Sequence, residues 1–314
     1  MKFEYIISIC NPKKLGLMDF SHALVYYGSK YDKRREYISP TKFCEIFNVY
    51  LGLNKNKKKA ICIIWDNSFY SFSLATIARF LGIKIIYYYH EPGGLTHKLE
   101  LRAPIYRISI QRLAEILNFK IADYVAVSKL EKIEKDFVFL PLLYDDRRPK
   151  KIRNSNKIGY IGALKSERLP ELFKSLECLF NEKKYELIFF PSKEYGSTRE
   201  DKYKFLAECA AIWNVFAYPY ILSGVTGDAF FSRTPLIVSK YEPFMDLLLK
   251  NDLAVRVDPA MSPKTICEQI IKSIRAFNPS ISKSSNRDLS SFGGKKAFQV
   301  NWLKTFEAII RKKY

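Results

Sequence analysis

The sequence has no apolar run approaching the roughly 18 residues that a membrane-spanning helix requires. The longest, residues 61–65 and 83–89, the latter interrupted by Lys84, are of strand length, so no integral membrane segment is expected. The apolar stretch within residues 1–10 is too short for a secretory signal and has no small-residue cleavage site; it predicts a first β-strand and a cytoplasmic location. Six cysteines (Cys10, Cys44, Cys62, Cys178, Cys209 and Cys267) are scattered, with no pair closer than 18 residues. That excludes zinc-ligand and redox-pair spacings and fits a reducing compartment. Histidine is scarce too, with three in 314 residues, so a histidine at a strand end stands out. Acidic residues are in deficit, 32 against 52 Lys and Arg, which leaves a net charge of +20.

That charge is compatible with nucleic acid, an anionic membrane surface or phosphate-bearing substrates. Residues 1–150 hold 25 basic and 15 acidic side chains and residues 151–314 hold 27 and 17, so each half carries +10. An even split does not describe one basic reading face. The clusters at residues 55–59 and 147–153 also lack the interleaved aromatics that stack bases. Nucleic acid is therefore the weakest reading; solvated lysine-rich faces and an anionic lipid surface, to which each added cation contributes on the order of 1 kcal/mol, remain.

With hydrophobic residues at 48% and aromatics at 15%, the chain can build real cores. Strands are expected at 5–10, 60–65, 84–89, 124–127 and 137–140, each rich in Ile, Val, Tyr and Phe without polar alternation, as strands buried on both faces are. Helices are expected at 21–27, 41–51, 73–81 (ending at Gly82) and 105–117, giving a βαβ rhythm and a parallel sheet. The polar, proline-containing stretch 147–156 reads as a linker. A second series follows: strands at 157–161, 185–190, 234–238 and 254–257, and helices at 169–180, 202–211 and 243–249. Residues 300–314 place Leu303, Phe306, Ile309 and Ile310 on one helical face, so this helix should dock. The expected domains are 1–146, the linker 147–156, 157–299, and a C-terminal helix 300–314 packing on the first domain.

In an open parallel sheet, ligands bind beyond the carboxyl ends of the strands. Three such places carry candidate chemistry. The run 87–94 ends a buried strand in His90-Glu91 followed by Pro92-Gly93-Gly94; His90 reads equally as a proton-transfer group and as a histidine satisfying a strand end. The run 223–238 is a loop entering a helix and then a strand. The amides of Ser223, Gly224, Val225, Thr226 and Gly227 at a helix N-terminus suit a diphosphate, and Asp228 suits sugar hydroxyls, although an Asp there is also a common cap. The run 158–169 is a strand ending at Gly162, with Lys165 and Arg168 placed to neutralise a departing diphosphate or to sit solvated at the surface.

Together these runs resemble the GT-B glycosyltransferases, specifically the large retaining family that includes lipopolysaccharide, capsule and lipid-linked-oligosaccharide sugar transferases (glycosyl transferases group 1). The family's Gly-Arg-Leu-x-x-x-Lys stretch reads Gly162-Ala163-Leu164-Lys165-Ser166-Glu167-Arg168 here, so Arg168 matches the family lysine. The family's Glu-Ala-Met-Ala-x-Gly-Thr-Pro-Val-Ile segment reads Asp228-Ala229-Phe230-Phe231-Ser232-Arg233-Thr234-Pro235-Leu236-Ile237. Of the family's two glutamates, Asp228 stands for the second and Tyr220 occupies the position of the first.

The resemblance implies an α/β chain of two Rossmann-like doubly wound domains facing a cleft, with the C-terminal helix docking back. It implies transfer of a sugar from a nucleotide-diphosphate sugar to an acceptor hydroxyl, with retention and no required metal or resident cofactor. Lys165, Arg168 and the 223–227 amides would hold the diphosphate, with Gly162 and Tyr220 also on the donor side. Asp228 would hold ribose and His90 would sit near the sugar. The acceptor, a glycan or lipid-linked glycan of a bacterial surface polysaccharide, would enter near Gly16, His22, Glu91, Gly93 and Gly94, at the inner face of the cytoplasmic membrane. Two other readings stand beside this one: a sugar-nucleotide epimerase of the same architecture, and a catalytically silent partner subunit.

Overall fold

The computed structural model describes residues 5–11, 15–40, 42–55, 60–66, 68–89, 113–114, 116–118, 120–127, 137–144, 155–162, 164, 168–217, 224–242, 244–277 and 293–311. The chain divides into two compact units: unit 1 is Met1–Asp145 with Leu289–Tyr314, and unit 2 is Asp146–Asp288.

Unit 1 holds β1 (Tyr5–Ile9), α1 (Leu15–Tyr31), β2 (Glu36–Ile38), α2 (Phe43–Lys55), β3 (Ala60–Ile64), α3 (Phe69–Phe80), β4 (Lys84–Tyr89), β5 (Tyr124–Val127) and β6 (Phe137–Phe139). The strands form one parallel sheet in the order β2-β1-β3-β4-β5-β6. Alternate side chains of each strand go to opposite faces. One set, including Ile7, Ile9, Cys62, Ile64, Ile85 and Tyr87, packs on Ile46, Tyr50 and Leu53 of α2 and Leu74, Ala75 and Ala78 of α3. Helix α3 begins where Ser68 accepts the Ser71 amide, as an N-cap does.

On the other face the aromatics dominate. Trp65 stacks on Tyr88 at 4.8 Å and on Trp302 at 5.7 Å, and Tyr88 and Trp302 stack with nearly parallel rings at 6.0 Å. Trp302 belongs to the C-terminal run of α10 (Gly294–Ala297), a π turn (Phe298–Trp302) and α11 (Leu303–Arg311); its indole donates to the Pro141 carbonyl at 2.9 Å. Phe298 stacks on Tyr27 of α1, and Glu307 pairs with Arg34 at 2.6 Å. The C-terminal segment thus completes the core of unit 1. Its return begins before residue 300, because Ala297 and Phe298 are already fully buried there.

Unit 2 holds β7 (Lys157–Ile161), α4 (Pro170–Ser175), α5 (Glu177–Glu182), β8 (Glu186–Phe190), α6 (Arg199–Glu208), β9 (Cys209–Asn214), α7 (Gly224–Ser232), β10 (Leu236–Val238), α8 (Met245–Lys250), β11 (Ala254–Arg256) and α9 (Pro263–Ala276). The parallel order is β11-β10-β9-β7-β8. Gly159 is needed for packing in β7: a Cβ there would meet Cys209 Sγ and Phe205 at 2.6 Å.

The structure departs from the sequence expectations in five places. The helix expected at 202–211 stops at Glu208, and Cys209–Asn214 is the central strand β9, buried at every residue. The helix expected at 169–180 is two short helices meeting at Leu176, whose side chain is buried. Helix α1 runs over Leu15–Tyr31 instead of the expected 21–27, so Gly16 is helical, and the short edge strand β2 was not foreseen. Helix α9 was not foreseen either; Ser262 caps it by accepting the Thr265 amide, and Ile266, Cys267, Ile270 and Ile271 form its buried face.

Candidate functional site

The strand order of unit 2 reverses direction at β7: the chain moves outward to β8, then crosses back to β9 on the other side of β7. In doubly wound sheets the crevice at such a reversal, beyond the carboxyl ends of the two strands, is where ligands bind. Gly162 leaves the end of β7. Its φ of +100° lies in the region that favours glycine, and its amide donates to the Phe190 carbonyl at 2.8 Å.

Arg168 lies at the same end, folded inward. Its Nη1 donates to the Ile161 carbonyl, at the end of β7, and its Nη2 to the Trp213 carbonyl and Asn214 Oδ1, both at 3.3 Å, at the end of β9. The guanidinium also lies 4.8 Å over the Tyr160 ring. With 9% of its surface exposed, Arg168 is not the solvated cation that the alternative reading of its run allowed. It laces the two strands that flank the crevice.

Behind it lies a buried polar relay. Asn214 Nδ2 donates to Glu242 Oε2 at 3.0 Å and to Thr226 Oγ1 at 3.2 Å; Thr226 in turn donates to the Glu242 carboxylate at 3.3 Å. The Phe244 amide donates to Glu242 Oε1 at 3.3 Å. Burial pushes the Glu242 carboxyl up to about 7, against these donors, which pull it down. Glu242 and Asn214 were not among the sequence candidates. The available signal was position alone, since Asn214 ends the buried strand β9 and Glu242 follows the carboxyl end of the buried strand β10.

Among the described residues helix α7 spans Gly224–Ser232, in the run expected to hold a helix N-terminus at 223–227. Val225, Thr226 and Gly227 are buried, and the Thr226 side chain turns into the relay rather than outward. Asp228, expected to take ribose hydroxyls, is ion-paired with Lys202 of α6 at 3.0 Å, with both side chains 12% exposed. His22 is exposed on α1. His90, Glu91, Gly93, Gly94, Lys165, Tyr220 and Ser223 lie outside the described residues.

Unit 1 has its own reversal between β1 and β3. Asp66, just past β3, bridges it, accepting from the Asn11 amide at 2.7 Å, the Ser68 amide at 2.8 Å and the Ser71 hydroxyl at 2.7 Å. Asp66 was also not foreseen. Among the described residues no group of three His, Cys, Asp or Glu side chains is arranged to hold a metal ion, and no helix is long and apolar enough to cross a membrane.

No protein-family model and no curated protein sequence matches the chain. Solved structures do. The Anabaena protein HepE in complex with UDP-glucose matches with a TM-score of 0.60 at 12% identity, covering 98% of each chain. Sucrose-phosphate synthase from Thermosynechococcus elongatus matches at 0.62 and 12% identity, over 99% of this chain and all of that one. A Listeria monocytogenes protein described as a UDP-N-acetylglucosamine 2-epimerase matches at 0.60 and 12% identity, over 100% and 98%. Likeness of this extent at such low identity establishes the fold: two Rossmann-like units of the GT-B type.

Proposed function

We propose that this GT-B chain is a glycosyltransferase that takes a sugar from a nucleoside-diphosphate sugar and places it on an acceptor hydroxyl. The observation that carries the reading is the strand reversal of unit 2. Its two flanking strand ends are tied by Arg168, in a fold shared across nearly the whole chain with HepE, whose structure holds UDP-glucose. The nucleotide lies against the carboxyl ends of β7 and β9. Gly162 lets the backbone approach it closely, and Arg168 stiffens the strand ends and supplies positive charge near the diphosphate. Lys165, Tyr220 and the amides of residues 223–227 complete the donor contacts, and Asp228, oriented by Lys202, takes ribose hydroxyls.

In the transfer the bond from the anomeric carbon to the diphosphate breaks and one to the acceptor oxygen forms. The acceptor's proton leaves with the diphosphate. His90 stands near the sugar, and Gly16, His22, Glu91, Gly93 and Gly94 stand on the acceptor side. Retention of configuration, independence of metal and a lipid-linked glycan acceptor at an anionic inner membrane surface follow from the family resemblance and belong to this proposal.

Incubating the purified protein with a panel of nucleotide sugars tests it. Slow release of free sugar and nucleoside diphosphate from one donor is the expected result. Failure to bind any nucleotide overturns the enzyme reading and favours the silent subunit. The likeness to the described epimerase favours a second reading, which predicts an epimerised sugar nucleotide formed without acceptor.

A further inference from the structure

The relay behind Arg168 has a direction. Glu242 is 5% exposed, and an ionised carboxylate only accepts hydrogen bonds. It therefore draws the Nδ2 side of Asn214 toward itself and leaves Oδ1 facing Arg168 Nη2. Thr226 cannot make that choice, because a hydroxyl both donates and accepts. With Asn214 reversed, its amide N–H would face the guanidinium N–H, donor against donor, and Glu242 would meet a carbonyl oxygen. Three donors converge on the two carboxylate oxygens: Asn214 on Oε2, the Phe244 amide on Oε1, and Thr226 on both.

We propose that Glu242 is a positioning residue that, by fixing the orientation of Asn214, holds Arg168 in the pose that receives a nucleoside diphosphate. The inference rests on the nucleotide reading above. It also bears on a segment the family resemblance left unassigned, the turn Ser239-Lys240-Tyr241-Glu242 after β10. Among the described residues, the groups on the Glu242 carboxyl are Asn214 from β9, Thr226 from α7 and the Phe244 amide, none of them titratable. The nearest charge along the chain of bonds is Arg168.

The test is a double-mutant cycle of E242Q and N214A, read by calorimetric affinity for UDP and by urea unfolding. Glutamine offers one oxygen where the three donors need two, so E242Q should weaken UDP about tenfold; N214A should cost about the same, and the double variant should lose about tenfold rather than a hundredfold, because linked sites are not additive. Wild-type affinity should also fall between pH 8 and 6.5 as Glu242 gains its proton, while E242Q follows only the nucleotide's own titration. Additive losses, or a pH profile shared by E242Q and wild type, would overturn the positioning role. If wild type binds no nucleoside diphosphate, the nucleotide reading fails. The relay is then judged by urea unfolding alone, where coupling of the two substitutions sustains it and additivity removes it.

Discussion

Arg168 and Trp213 hold each other in both directions: Arg168 Nη2 donates to the Trp213 carbonyl at 3.3 Å, and the Trp213 indole donates to the Arg168 carbonyl at 2.9 Å. The pair joins the segment after β7 to the last turn of β9 by side chain and main chain at once. Arg168 is thereby both part of the frame and part of the proposed site.

Arg168→Ala should therefore fail on two measurements. Loss of buried, charge-assisted hydrogen bonds to two strand ends should cost about 2–4 kcal/mol of stability, seen as a lower urea midpoint. Donor turnover should fall about 100-fold. Arg168→Lys keeps the charge but cannot reach the Ile161, Trp213 and Asn214 oxygens together. It should stay destabilised; full recovery of turnover by lysine would show that charge alone matters.

Gly162→Ala tests the strand end. The residue sits at φ +100°, and a Cβ would lie 3.2 Å from Arg168 Nη1. A loss of about 1–3 kcal/mol is expected, with weakened UDP binding by calorimetry. Gly82→Ala is the control: φ is +73° there with nothing within 4 Å of the added carbon, so stability should fall while nucleotide affinity holds.

Asp123 ties unit 1 together and gives a pH signature. Burial raises its pKa, but hydrogen bonds from Arg79 at 2.5 Å, the Ile85 amide at 2.8 Å and Lys84 at 3.1 Å outweigh burial and hold it below the ordinary 3.8. A depressed carboxyl contributes stability above its unfolded pKa and loses it as pH falls through the folded value. Asp123→Asn should thus be less stable than wild type at pH 7, with the gap closing below about pH 4. An unchanged gap at pH 3 would contradict this.

Trp302 is fully buried against Trp65 and Tyr88. Trp302→Ala should cost about 3–5 kcal/mol, and calorimetry should show the transition of unit 1 moving to lower temperature while that of unit 2 stays. Joint movement of both transitions would mean the units unfold as one.

The sequence was most legible where burial alone decides. Strand β3 is an unbroken apolar run, and β4 is one after its first residue, Lys84, as strands buried on both faces of a sheet are. It was misleading at Glu208-Cys209-Ala210-Ala211, where residues compatible with a helix enter a central strand without a loop; long-range pairing with β7 and β10 overrides local propensity there. At the candidate site, Gly162 and Arg168 were visible because a glycine and cations follow a strand. Asn214, Glu242 and Asp66 were not. Their significance comes from which strand ends the topology places side by side, and single polar residues after strands carry no periodic signal.

The late arrival of Trp302 and Phe306 also sets an order of assembly during translation. The ribosome delivers all of residues 146–288 before the residues that close the core of unit 1, so the later-made unit can finish folding first. Until residues 293–311 emerge, the aromatic face formed by Trp65 and Tyr88 lacks its cover, and the nascent N-terminal half is the part that a chaperone would need to shield.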